Sequence, residues 1–117
     1  MPINVTTGNG QALLGAIFKG IDEKEVDTWR YETHDGVKYL THSPDQWDQK
    51  EWLKATVAVP SLVLNIVKPK NTNISTVVYA VYHGRFIEML LAHFDGQLSG
   101  ASATAMPTAA DVVKSAA

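Results

Sequence analysis

The chain has 117 residues, 45% hydrophobic and 19% charged, and its ten Lys and Arg against twelve Asp and Glu leave a formal charge of -2. That length holds one domain of ordinary size, and the apolar share is well above that of disordered chains. The charges are interleaved with no basic block, which argues against nucleic acid; the absence of cysteine excludes disulfides, thiolate nucleophiles and cysteine-ligated metals; and no apolar run approaches the roughly 20 residues that span a bilayer.

The opening "MPINVTTGNG" has neither the basic start nor the apolar run of a signal peptide, so the expected location is cytoplasmic. Its crowded Thr, Asn and Gly predict a loose arm over residues 1–10. "QALLGAIFKG" follows, with Leu13, Leu14, Ile17, Phe18 and Ile21 at helical spacing and Gly20 placed as a C-terminal stop. Gly15 inside it either costs up to about 1 kcal/mol relative to alanine or marks a close backbone approach.

"VDTWRYETHDGVKYLTH" predicts a hairpin. Asp35 and Gly36 both accept the positive φ of a type I′ turn, and the flanks are aromatic and β-branched. A two-residue loop sets Tyr31 opposite Leu40 and Trp29 opposite His42, with Glu32 against Tyr39 and Arg30 against Thr41. "SPDQW" predicts a helix start of about two turns, with Ser43 as N-cap, Pro44 first in the helix and Gln46 at capping-box spacing. The β-branched run "ATVAV" then reads as strand, and Pro60 predicts a bulge, a bend or an edge position.

"SLVLNIVKPKNTNISTVVYAVYH" reads as two apolar strands, Leu62, Leu64 and Ile66 sharing one face and Val77, Tyr79 and Val81 repeating the pattern in the partner. Two apolar faces need cover on both sides, and few helices are to hand, so a homodimer is expected. From Gly84 to Asp95 the spacing predicts a helix whose arc of Phe86, Ile87, Met89, Leu90, Leu91 and Phe94 faces the core, with a partly buried His93 near its edge. "QLSGASATAMP" reads as an edge strand, and residues 107–117 as a short helix capped by Thr108, or a tail.

Few residues carry a chemical signal. His83, Gly84 and Arg85, at the expected strand-to-helix corner, offer a weak anion site through free helix N-H groups. The four histidines form no H-x-H or H-x-x-x-H pair, so no metal and no cofactor are expected. No nucleophile elbow is present, and the weak acid-base candidates are His42, beside Trp29 and Tyr31, and His83. Trp29, Tyr31, Tyr39, Trp47 and Trp52 crowd into residues 29–52, the composition of an interface or a small apolar pocket as well as of a core. Lys68 and Lys70 read as a solvated loop tip.

The expectation is one α+β domain over residues 1–117: an antiparallel sheet of four to five strands with an N-terminal and a C-terminal helix packed on it. The expected function is non-enzymatic binding or protein interaction, as a homodimer that binds a protein partner. The alternative is a small-molecule pocket protein or a small acid-base enzyme using a histidine.

Overall fold

A computed structural model describes residues 2–58 and 60–113. The described chain is α+β: a six-stranded antiparallel sheet, two helices on one of its faces, and a helix-free face opposite. This is one strand more than the expected upper count, and the helices differ in extent from those expected.

The N-terminal segment is not a loose arm. Residues Ile3–Thr6 form β1, with Ile3 and Val5 fully buried. Only two apolar residues alternate there, too short a pattern to stand out from the surrounding Thr and Asn. Helix α1 (Gly10–Asp22) is started by Asn9, whose Oδ1 accepts from the Ala12 amide at 3.0 Å, and turns Leu13 and Ile17 into the core. Gly20 is not its stop. The helix runs two residues further, and Gly20 is where Val26 closes in: a Cβ added there would lie 3.1 Å from Val26 Cγ2. At Gly15 nothing approaches, which leaves it as a helix-interior glycine without a packing reason.

The hairpin forms as expected. Strands β2 (Trp29–His34) and β3 (Val37–His42) pair in the register derived from the two-residue loop, and Asp35 and Gly36 take φ of 51° and 77°. The expected helix at Ser43 is instead a compact turn. Ser43 is tied back to the start of the hairpin, its amide donating to the Thr28 carbonyl at 2.8 Å and its hydroxyl to the Asp27 carbonyl at 3.1 Å, so it does not cap. Trp47 and Asp48 both donate to the Pro44 carbonyl, and Gln49 at φ 60° reverses the chain.

Strands β4 (Trp52–Ala58) and β5 (Ser61–Val67) form a second hairpin, so Pro60 lies in the connection between two strands. The expected partner strand after it is helix. Helix α2 runs Thr76–Phe94, capped by Ser75, whose hydroxyl accepts from the Val78 amide at 3.2 Å. Val77, Tyr79 and Val81 alternate by accident of a β-branched run; the spacing that decides is Tyr82, Phe86, Met89, Leu90 and Phe94, all buried on one stripe. The stripe is narrower than expected, because Leu91 is 56% exposed and His93 is exposed.

A short 3-10 turn leads to β6 (Gly100–Ala103), the expected edge strand. The sheet order is β2-β3-β4-β5-β1-β6. No C-terminal helix forms in the described part of 107–117. Thr108 turns back on Asp111 Oδ2, and Val112 pairs in parallel with Val67, beyond the point where β1 stops; residues 114–117 lie outside the described chain.

Register places the core. Ile3, Val5, Trp29, Leu40, Leu53, Leu62, Leu64 and Ile66 all point to the helices. Tyr31 packs on Phe18 of α1 and Trp29 edges onto Tyr82 and Phe86 of α2, so both helices share that face.

The two α1 glycines should respond to alanine with opposite signs. Gly15→Ala should raise the unfolding free energy by up to about 1 kcal/mol, because helix propensity improves and the space is open. Gly20→Ala should lower it by roughly 1 kcal/mol through overpacking against Val26. Urea unfolding of both variants checks this.

Candidate functional site

Alternation along the strands decides which aromatic side chains are spare. Trp29 is 2% exposed and belongs to the core. Tyr31 also lies on the helix face, its hydroxyl donating to Asp22 at 2.7 Å. Trp47, on the 44–50 turn, is half-buried against the core. Tyr39 and Trp52 point the other way. They stand on neighbouring strands of the helix-free face, one step off register because Tyr39 pairs with Lys54. Of the five aromatics that crowd residues 29–52, these two come together.

They line a groove of about 470 Å³, walled by Val67 and Pro69 and rimmed by Lys68, Lys70 and Glu32. Arg30 holds one side of it. Its guanidinium takes Asp48 through two nitrogens, at 2.8 and 3.3 Å, and Glu32 at 2.6 Å, and lies 5.7 Å from the centre of the Trp52 ring. The hydrogen bonds to Asp48 and Glu32 raise the Arg30 pKa above its ordinary value, and its single positive charge is shared between the two carboxylates. Lys68 is half-buried and donates to the Pro69 carbonyl at 3.3 Å, while Lys70 is exposed.

A second group of polar side chains is sealed inside. Thr41 donates to the Glu51 carbonyl at 3.0 Å, accepts from the Gln49 amide, and meets the Tyr82 hydroxyl at 2.9 Å; Tyr82 also donates to the Trp47 carbonyl. Together they tie the 44–50 turn to α2. Beside them Glu51 is fully buried, and neither of its carboxyl oxygens has a hydrogen-bond partner among the described residues. Burial, reinforced by the charge of Asp111, pushes its pKa up to about 9, so it carries its proton at neutral pH. Asp111 behaves oppositely. Burial works to raise it, but hydrogen bonds from the Thr108 and Ile66 amides and the Asn65 side chain outweigh that and hold it below its ordinary value.

His42 packs against Trp29 with ring centres 4.8 Å apart and planes tilted by 41°, its Nδ1 lacking a hydrogen-bond partner among the described residues. Burial lowers its pKa against the pull of the Thr28 backbone, so it is neutral at pH 7. His83 is in the interior of α2, its Nδ1 2.7 Å from the Tyr79 carbonyl, which only accepts, so Nδ1 carries a proton. Neither histidine lines the groove.

The anion-site reading of His83, Gly84 and Arg85 requires a helix beginning at Gly84. With α2 beginning at Thr76, the amides of these residues lie in the helix interior, where the preceding turn takes them up. Among the described residues, no three of His, Cys, Asp and Glu stand together as a metal would need, and no helix is long and apolar enough to cross a membrane.

Glu51 does not stand out in the sequence. The available signal is its position two residues before Leu53, just ahead of β4, which continues the core-side alternation of that strand. No known family model, curated protein or solved structure matches the chain.

Glu51 gives a pH prediction. The unfolded state releases this proton near 4.5 and the folded state near 9, so between those values unfolding releases one proton and stability falls as pH rises. His42 acts at the acid end, its lowered pKa costing stability as pH drops below about 6.5. From pH 7 to about 9 the Glu51 slope stands alone, at about 1.4 kcal/mol per pH unit. Glu51→Gln should flatten it, and urea titrations across that range read the difference.

Proposed function

We propose that this protein is a non-enzymatic binding module that receives its partner on the helix-free face of the sheet, in the groove between Tyr39 and Trp52. One observation carries the reading. The core is complete on the helix side, yet two aromatic rings on the far side are held half-exposed in a concave setting. Arg30, itself held by Glu32 and Asp48, stiffens one of them, which lowers the ordering penalty of binding. The groove is of the size that small-molecule sites have.

A homodimer through the same face is the second reading, and Val63 and Val67 favour it. They are half-buried on that face, and two copies need to bury about 800 Å² each to associate stably. An acid-base enzyme has less support, because His42 and Glu51 are sealed in the interior.

A fragment screen followed by amide and indole NMR shifts tests the binding reading. Hits should move Tyr39, Trp52 and Lys68, and Trp52→Ala should abolish those shifts while cooperative unfolding survives with a loss of no more than about 2 kcal/mol. Hits that gather elsewhere would sink it. Sedimentation of the wild type separates the two readings, since a dimer covering this face leaves the groove closed to fragments.

A further inference from the structure

The charges around the groove go further than its shape. We propose that it is a site for a planar organic anion, whose ring lies against Tyr39 and Trp52 and whose acidic group meets Lys68 and Lys70. The inference rests on the reading of the groove as a binding site and adds the ligand's chemistry.

The groove's own acid is already ion-paired. Glu32 is the carboxylate of the lining, and Arg30 holds it at 2.6 Å while taking Asp48 with its other nitrogens. Lys68 and Lys70 stand at the rim, while Lys54, opposite Tyr39 in register, lines a separate hollow beside α1. Against them is Asp35 at the hairpin tip, 3.5 Å from His34. Over the residues that line the groove, Lys68 and Lys70 against Glu32 leave a single positive charge in a chain whose total is -2. Ring chemistry follows from the other walls. Tyr39 and Trp52 offer flat π surfaces and Val67 and Pro69 offer apolar ones, a lining that favours a thin aromatic body over a hydrated inorganic ion. Lys68, half-buried in the lining, is already oriented by the bond from its ammonium to the Pro69 carbonyl at 3.3 Å.

The test is a fluorescence titration with two probes that share a ring system, anilinonaphthalene sulfonate, which is an anion, and phenylnaphthylamine, which lacks the sulfonate. The wild type should bind the anion about threefold to tenfold more tightly, what two exposed ion pairs supply. Raising salt from about 0.05 M to about 0.5 M should erase most of the difference. Lys68→Ala combined with Lys70→Glu should weaken the anion alone, and Trp52→Ala should weaken both probes. Near-UV circular dichroism confirms that each variant keeps its packing, so that probe binding to loosened protein is not counted.

Equal affinity for the two probes, or an anion affinity unmoved by the lysine variant, overturns the charge inference while leaving the groove reading intact. Binding of both probes that ignores Trp52→Ala overturns the two together. Failure of the anion to bind at millimolar concentration overturns the inference as well, and the fragment screen then decides the groove on its own.

Discussion

Strand β5 is hydrogen-bonded along both edges, and the rest of the sheet takes its place from it. On one edge β4 pairs with all seven of its residues; on the other, β1 covers Ser61 to Leu64 and then stops. A buried strand cannot leave its remaining amides and carbonyls bare. The gap is filled from the far end of the chain: Asp111 accepts from the Ile66 amide at 3.0 Å, Val112 donates to the Ile66 carbonyl at 2.8 Å, and the Val112 carbonyl accepts from Lys68 at 2.8 Å. Two short segments from opposite ends of the sequence thus complete one edge.

With the sheet so closed, its faces divide the work. The helix face holds the fully buried apolar residues of every strand except β6, whose alanines are small, and both helices are spent there. The opposite face must meet water, and it does so with Lys54, Thr56 and Glu32 around the partly covered Tyr39 and Trp52. Glu51 is the exception to this sorting. It sits at the entry to β4 on the core side, where a carboxyl remains only by keeping its proton.

The parts legible in the sequence are those where local chemistry and tertiary packing agree. Asp35-Gly36 dictates a turn, the turn dictates register, and strand alternation within that register is enough to put Tyr39 on the opposite face from Tyr31. Helix α1 announces itself through Leu13 and Ile17. Elsewhere local signals conflict. Val77, Tyr79 and Val81 alternate as a strand would, and only the longer spacing through Phe94 turns them into helix. At Ser43 a good capping pattern loses to the hydrogen bonds that tie it to the start of the hairpin. The groove is half visible. Tyr39 and Trp52 stand out as aromatics with polar neighbours, but Lys68 and Lys70 look like a loop tip, because the pairing of Trp52 with Val67 that brings them alongside is a long-range fact.

The placement of β1 has a consequence in time. Ile3 pairs with Leu64 on one side and Ala103 on the other, so the first strand of this sheet waits for both neighbours. Meanwhile the β2-β3 and β4-β5 hairpins close locally, and a nascent chain would hold them before β1 finds its slot. Such distant pairings slow folding, and they leave an apolar strand edge exposed until the last part of the chain arrives. The same arrangement that seals β5 in the finished protein makes its assembly the late and vulnerable step.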